Sequence, residues 1–571
     1  MAAKPLQPLV LDSIGIYGLN RQSSAASLPP QWLTTANNVM LDEKGRVSTR
    51  EGIKQITNNV YTGSLTAGKP TTNTLVFKSL GEYRSITGVT TVFAGAGANI
   101  YKMNTANTPY TLDVQSFAGG TTKTDGNWQF TNFNNQFYGA QAGNKPINYS
   151  GSAWLDLEDV ASYAAPSGVT TFTPSCLLGE YGRLWVGNIG ENRDVVYYSD
   201  LLIGHKFHGG SSGSIDLKGV WSGDEIVSIN SFMGKLVIFG KNNIVVYDGP
   251  WDVAVADSSS TFRLNEVIQG VGCVARDSIQ LIGDDIVFLS SSGVRSLSRT
   301  LVQDKMPLTD LSLAIKDELR TNIVTGNMTT VKAQYDLSTG SYLLAFPDKN
   351  IVYVFDFKAQ TPDGVPSITT WNFDSKKNPR SFLSTDTNLY VGLGALDYEG
   401  RVAIYDGYYD VQKDDVTAAY ANQTVCVAAG HTWESGTSKC YQDIDNTYQS
   451  DFKTVWLDFE QPGISKFLKR FLGIWSGGKN ANVTLNWYRD YNVIPTSANF
   501  SLDPTAGGIT YLWGAGKYGN AKYAPAFQPA EYKVSMSKAA KVVRLEIIQT
   551  VSGFKSALQN ITIWAKQGKI R

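Results

Sequence analysis

The residue types best suited to metal or nucleophile chemistry are scarce in this chain: three histidines and four cysteines in 571 residues. His205 and His208 stand three apart in a Gly- and Ser-rich stretch with no third ligand near them, and read as a solvated turn. Cys426, His431 and Cys440 offer three zinc-competent ligands, but their spacing matches no common zinc site. Asp443-Ile444-Asp445-Asn446 has oxygens for calcium yet lacks the glycine and closing glutamate of an EF-hand loop. Gly514-Ala515-Gly516-Lys517 resembles a phosphate loop only briefly. Tyr511 stands where that motif needs its first glycine, and Tyr518 follows the lysine. No Gly-x-Ser-x-Gly elbow occurs, and Asp284-Asp285 reads as a hairpin turn. The expectation is a chain with no catalytic, cofactor-binding or metal-binding residues, and not an enzyme.

The elements that would have to position any site are strands. From Thr91 to Asp406 one pattern recurs seven times: a buried strand, a tight polar turn and a second strand. Its clearest copy is Lys235-Leu236-Val237-Ile238-Phe239-Gly240, then Lys241-Asn242-Asn243, then Ile244-Val245-Val246-Tyr247-Asp248. Aligned on the late apolar residue of the second strand, the copies fall at Tyr101, Tyr149, Tyr198, Tyr247, Leu297, Phe355 and Tyr405. A repeat near fifty residues with about four strands per unit is the mark of a β-propeller blade. The fold class expected is all-β, a propeller of about seven blades plus a C-terminal β-sandwich-like domain. An extra strand precedes most pairs, as in Cys176-Leu177-Leu178; a fourth per blade is harder to see. The one long interval, from Leu297 to Phe355, holds Leu308, Leu311, Ile315 and Leu319 on one helical face, with Thr309 or Asp310 as cap. A short helix near 308–320 is expected to pack on its own propeller. Propeller sialidases carry Ser-x-Asp-x-Gly-x-x-Trp turns, and Lys123-Thr124-Asp125-Gly126-Asn127-Trp128 does not meet that spacing.

Composition narrows the classes further. Lys+Arg and Asp+Glu are both 50, which argues against a general nucleic-acid binder. No stretch reads as a secretory leader or as a membrane helix. Cys176 and Cys273 sit in or beside apolar strands and read as small core residues. Cys426 and Cys440 flank a polar stretch and could pair on oxidation. The domains expected are an N-terminal helix-hairpin segment over 1–60, the propeller over 61–410, an exposed loop or small insertion over 411–450, and the sandwich-like unit over 451–571. In that last unit, Thr454–Phe459, Val483–Tyr488, Val542–Ile548 and Ile561–Trp564 read as strands. Residues 464–475 are ambiguous: Ile464, Phe467, Leu468, Phe471, Leu472 and Trp475 fit a helical stripe, with Lys466, Lys469 and Arg470 opposite, and fit a strand as well.

In the N-terminal segment, Ser27-Leu28-Pro29-Pro30-Gln31-Trp32-Leu33 reads as a helical turn capped by Ser27. Asn38-Val39-Met40-Leu41, a turn at Asp42-Glu43-Lys44-Gly45, and Arg46-Val47-Ser48-Thr49-Arg50 read as a hairpin whose turn needs the positive φ that Gly45 allows. The order Gly18-Leu19-Asn20, Leu28-Pro29, Ala36-Asn37-Asn38-Val39, Asp42, Gly45-Arg46-Val47, Arg50, Gly52 resembles the opening of tail nozzle proteins (tail hub, or head-completion stabilisation proteins) of short-tailed bacteriophages, the podoviruses. The match covers about 35 residues.

What this resemblance implies is a structural protein of the virion, assembled in the bacterial host cytoplasm. It implies a homohexameric ring that extends the channel of the portal and adaptor rings, with tail fibre, spike or tip proteins attached below. Double-stranded DNA would pass through at genome ejection without sequence-specific binding, and no stable membrane insertion is expected. A DNA conduit must not grip its cargo, because each neutralised phosphate adds counterion-release affinity. The lumen is therefore expected to be acidic or neutral, with Lys466, Lys469, Arg470, Lys569 and Arg571 mostly elsewhere. Two alternatives stay in view: a glycan-binding, receptor-binding propeller and, less so, a propeller glycoside hydrolase.

Overall fold

The structure, a computed structural model, describes residues 6–568 apart from 12, 43–44, 58–64, 67–68, 71–74, 107–108, 119–122, 222, 254–260, 299–309, 374–377, 395–399, 435–437, 462, 480 and 503–528. Leu308, Thr309, the Gly514–Lys517 stretch, Lys569 and Arg571 lie outside the described residues.

The expected hairpins form. Lys235–Gly240 pairs antiparallel with Asn243–Asp248, setting Val237 opposite Val246 and Phe239 opposite Ile244. Leu236, Val237, Ile238 and Phe239 are all fully buried, so this strand is covered on both faces. Ile226–Phe232 lies on the inner side and Arg263–Gln269 on the outer side, giving a four-stranded blade. The chain adopts a propeller arrangement with five self-contained blade sheets, over residues 79–115, 117–156, 176–216, 226–269 and 280–296.

About seven blades were expected, and the structure corrects this to five that stand as separate sheets. The last two repeats form strand runs of the same kind, 332–372 and 379–405, but neither ends as a separate sheet. The N-terminal segment takes their outer edges. Gly18–Leu19 and Trp32–Asn37 pair parallel with Pro366–Asn372, and Ile53–Gln55 pairs antiparallel with Gly400–Tyr405. A strand edge left open invites pairing, and here the chain's own beginning fills it. The sheets grow to ten strands and seven strands.

The helix predicted near 308–320 begins later and runs further. A 3₁₀ turn at Leu313–Ile315 leads into an α-helix over Lys316–Thr325. Leu311, Ile315 and Leu319 are buried in one core with Leu344, Phe346 and Tyr353, so the helix packs on its own propeller. Asp310 does not cap the α-helix; its carboxylate accepts the Ser312 N–H at 2.9 Å, ahead of the 3₁₀ turn. Among the described residues the fifth blade has three strands. Its edge at Val294 bonds instead to the Leu311 N–H and to Ser312 Oγ, at 2.9 and 3.0 Å.

The helical turn expected at Ser27 is absent. Ser27 Oγ donates backward to the Ser24 carbonyl, and a strand, Trp32–Asn37, starts where the helix would run. That strand is pinned to Tyr448–Thr454 on one side, so sheet pairing overrides the local proline signal. The hairpin at 39–49 does form, and Gly45 has φ +73°.

C-terminal strands fall into two sheets. One holds Lys466–Gly477, Ser556–Gln567 and Pro529–Ser535 with the N-terminal strands Gln7–Leu11, Val39–Leu41 and Val47–Thr49. The other holds Tyr448–Thr454, Val543–Val551, Asn482–Arg489 and Thr496–Ser501. Phe471, Trp475, Val483, Leu485, Leu545, Ile547, Ile561 and Ile563 from both sheets share one buried cluster. The expected strand Thr454–Phe459 ends at Thr454, after which Leu457 makes a single bridge to Val543.

The ambiguous segment is a strand, and its basic residues separate. Lys469 and Arg470 are exposed, whereas Lys466 is buried and its Nζ donates to the carbonyls of Asp458, Gln461 and Lys541 at 2.5, 2.6 and 3.0 Å. Burial pushes its ammonium below the usual lysine range. Lys466→Met leaves those three carbonyls without their donor, and we expect a loss of about 1–3 kcal/mol in denaturant unfolding.

Residues 411–450 are not an exposed loop. Asp410–Asp415, Thr432–Glu434 and Lys439–Asn446 pair antiparallel with one another and join the seven-stranded sheet where Asp410–Asp415 runs parallel to Ile53–Gln55, and Gln423–Ala428 is a short helix. Asn422 caps it, accepting the Val425 N–H at 3.0 Å. Cys426 and Cys440, both fully buried, are joined by a disulfide. Closing a loop of this length stabilises by about 3 kcal/mol in the chain-entropy account. A Cys440→Ser variant, read by amide exchange, is expected to lose protection in 410–446 by about that amount while the propeller keeps its protection.

Candidate functional site

Among the described residues, two of the constellations that bring sequence-distant polar groups together stand out, and neither contains a histidine. The first is a joint centred on Arg50, just after the strand Val47–Thr49 and fully buried. Its guanidinium faces Asp410 with two bonds, at 3.2 and 3.3 Å, and Nε donates to Asn38 Oδ1 at 2.9 Å. The plane lies between the rings of Phe373 and Tyr448, 4.4 and 4.0 Å from their centroids. A flat, delocalised cation suits this double stacking in a way that lysine would not. Asn38 sits in the left-handed region, φ +54°. Its amide accepts the Asn372 N–H at 3.0 Å and donates to the Gln449 carbonyl at 2.7 Å. Gly52 passes so close to Tyr409 that a Cβ would stand 1.9 Å from its carbonyl oxygen. Asn37 accepts from Thr370 Oγ1 at 2.7 Å. The joint therefore ties the N-terminal strands to both extended propeller sheets and to the C-terminal strand Tyr448–Thr454.

A cleft of about 310 Å³ opens beside this joint, lined by Asp42, Arg46, Glu51, Asp356, Lys358 and Lys555 among others. Burial, then Asp406, raises the Glu51 carboxyl above its usual range. Cationic and anionic side chains balance around the cleft, which suits a packed domain boundary.

The second constellation lies on the propeller axis. Asn127, Ser175, Arg276 and Lys332 each stand at or just before the first strand of a blade, so the ring geometry gathers them. Arg276 donates to Asp277 at 2.8 and 2.9 Å, to the Ser175 carbonyl at 2.8 Å and to the Asn127 carbonyl at 3.0 Å. Lys332 Nζ donates to Asn127 Oδ1 at 2.5 Å and to Asp277. The side chains of Arg276, Asp277 and Lys332 are 13%, 16% and 8% exposed. Burial opposes the charged form of Asp277, yet Arg276 and Lys332 beside it hold its carboxyl down at about 2. Burial also pushes the Lys332 ammonium below the usual lysine range, against the pull of Asp277. Above the cluster a cavity of about 180 Å³ is walled by Ser79, Gln129, Ser228, Asn230, Gln280 and Ser381.

No protein-family model matches the chain, and no curated protein matches it in sequence. Solved structures align with part of the chain. Two structures of the extracellular domain of BT4673 from B. thetaiotaomicron align at 13% and 12% identity, with TM-scores of 0.37 and 0.38, over 64% and 71% of this chain. The chain spans 41% and 51% of the lengths of those two. The Neurospora crassa Pan2 WD40 domain aligns at 9% identity and TM-score 0.35, over 62% of this chain and 96% of that domain.

The residues weighed for metal chemistry do not converge. His205 is half-buried and His208 exposed in the turns after Asp200, and the Nδ1 of His205 has no partner among the described residues. Both sulfurs near His431 are committed to the disulfide, and the imidazole packs edge-on to Tyr420 at 4.6 Å. Asp443 is paired with Lys413 at 2.6 Å. Among the described residues no group of three or more His, Cys, Asp or Glu could hold a metal ion. Asn127, Arg276, Asp277 and Lys332 were not singled out as site residues from the sequence. Asn127 falls in the stretch set aside as a poor sialidase turn, and the signal was positional: a polar residue ahead of each blade's first strand.

Proposed function

We propose that the chain is the nozzle of a short phage tail, a structural ring protein that extends the portal and adaptor channel, conducts double-stranded DNA and anchors fibres, spikes or a tip. On this reading it has no catalytic role and resides in the virion. The observation that carries the proposal is the Arg50 joint. Asn37, Asn38, Arg50 and Gly52 of the nozzle-like opening meet in one connected, buried unit. The resemblance therefore follows a structural device and not a scattered string of residues. A ring needs one face of each subunit to meet a different face of the next at a fixed angle. A joint that locks propeller to C-terminal sheets holds such faces rigid.

The same proposal takes the propeller as seven-membered and the C-terminal strands as a β-sandwich. Ring closure is supported by Pro379–Ser384, which lies against both Lys332–Asp336 and Ser79–Arg84. The sandwich is supported by the core shared between the two C-terminal sheets. The channel wall is acidic or neutral, and Lys466, buried against carbonyls, is unavailable to phosphates. In a phage from which this gene is deleted, we expect heads that package DNA, lose it and carry no tail. Fully tailed particles that retain their genome would refute the reading.

A further inference from the structure

The axial cavity has more hydrogen-bond donors and more positive charge than the protein itself satisfies. Gln129 Oε1 accepts the Leu177 N–H at 3.0 Å and Asn230 Oδ1 accepts the Ser231 N–H at 2.8 Å. Those bonds fix which end of each amide is the oxygen, so each NH₂ remains to donate. Among the described residues neither nitrogen has a protein acceptor, although both residues line the cavity. Lys332 Nζ uses two of its three donors, on Asn127 and Asp277. The charges do not cancel. Arg276 and Lys332 face Asp277, and Asp125, the next carboxylate, is paired with Lys78. Among the described residues, three cations meet two carboxylates, leaving one positive charge over a polar cavity. A buried charge without its counter-ion is costly, and a bound anion relieves it. The wall serines add a second preference. Ser79 Oγ donates to the Gly126 carbonyl and Ser381 Oγ to the Phe77 carbonyl, at 2.8 and 2.7 Å, so their lone pairs are left to accept.

We propose that this cavity is a binding site for a small hydroxylated monocarboxylate, such as a sugar acid. Its carboxylate takes the donors of Asn230, Gln129 and Lys332, and its hydroxyls donate to the wall serines. The site is independent of the ring assembly, and its failure would leave that reading untouched. The probe is D-glucuronate titrated into the full chain by calorimetry, with D-glucose as the uncharged control. The expected result is saturable binding of glucuronate and none of glucose. Asn230→Asp keeps an oxygen for the Ser231 N–H but turns the donor into a negative charge, and it should bind about tenfold more weakly or worse. Asp277→Asn removes the competing carboxylate, and it should bind about tenfold more tightly. Equal affinity for glucose, no saturable heat at millimolar glucuronate, or an unchanged affinity in Asn230→Asp would overturn the proposal. Asn230 lies in no part of the charge cluster, so its test stands even if Asp277→Asn folds poorly.

Discussion

An Arg50→Met variant is expected to lose about 3–5 kcal/mol of unfolding free energy, a large part of what holds a domain together. The reason is what stays behind. Asp410 is 2% exposed and would lose both hydrogen bonds it accepts from the guanidinium. The Asn38 Oδ1 would lose one of its donors, and the Phe373 and Tyr448 rings would lose the guanidinium between them. Because the joint connects the N-terminal strands to sheets on both sides, its loss should also split the transition, with the C-terminal tryptophans reporting before the propeller. Adding Asp410→Leu to Arg50→Met should restore part of the loss, since the carboxylate that faced the guanidinium is then gone while the Ile53 N–H loses its acceptor. Guanidinium unfolding of the two variants checks both statements. A single-variant loss below about 1 kcal/mol, the range of an exposed ion pair, would show the joint to be incidental.

The axial cluster predicts an effect of similar size by a different route. Asp277→Ala leaves Arg276 and Lys332 side by side with no carboxylate between them, and we expect a loss of about 3–5 kcal/mol. The same group sets an acid limit. The Asp277 carboxyl is held at about 2 in the folded chain, below its unfolded value near about 3.9. A depressed carboxylate stabilises the fold at pH above the unfolded value, and that contribution is lost as pH falls towards the folded one. Wild type should therefore lose this part of its stability between about pH 4 and pH 2. Asp277→Ala should be flatter across that window. Parallel acid curves for the two proteins would sink the assignment.

Which parts of the fold were legible follows from where the signal sits. Inner hairpins such as Lys235–Gly240 with Asn243–Asp248 are buried on both faces, and their unbroken apolar runs announce them. Outer strands carry no such run. Gly213–Asp216 is short and mostly open to solvent, and Arg263–Gln269 has no fully buried residue. The helix-like spacing at 464–475 has a specific cause. A bulge between Leu468 and Arg470 inserts a residue into the strand, so the buried Leu468 and Phe471 stand three apart while remaining on one face. The merging of the last two repeats into larger sheets left no mark in the sequence, because Gly18–Leu19, Trp32–Asn37 and Ile53–Gln55 reach their partners across more than 300 residues. Periodicity cannot register such pairings.

Candidate sites divide in the same way. The opening motif was visible as a string, yet its purpose was not, because Arg50 depends on Phe373, Asp410 and Tyr448. The axial cluster left a fainter mark. Asn127 and Lys332 look like ordinary turn residues until the ring sets them 2.5 Å apart.

The most direct test of the nozzle assignment is image averaging of intact particles in which this protein carries a visible label. The assignment predicts label in a six-fold ring at the tail vertex, around a channel wide enough for duplex DNA. Label confined to fibre tips, or absent from every particle, would contradict it.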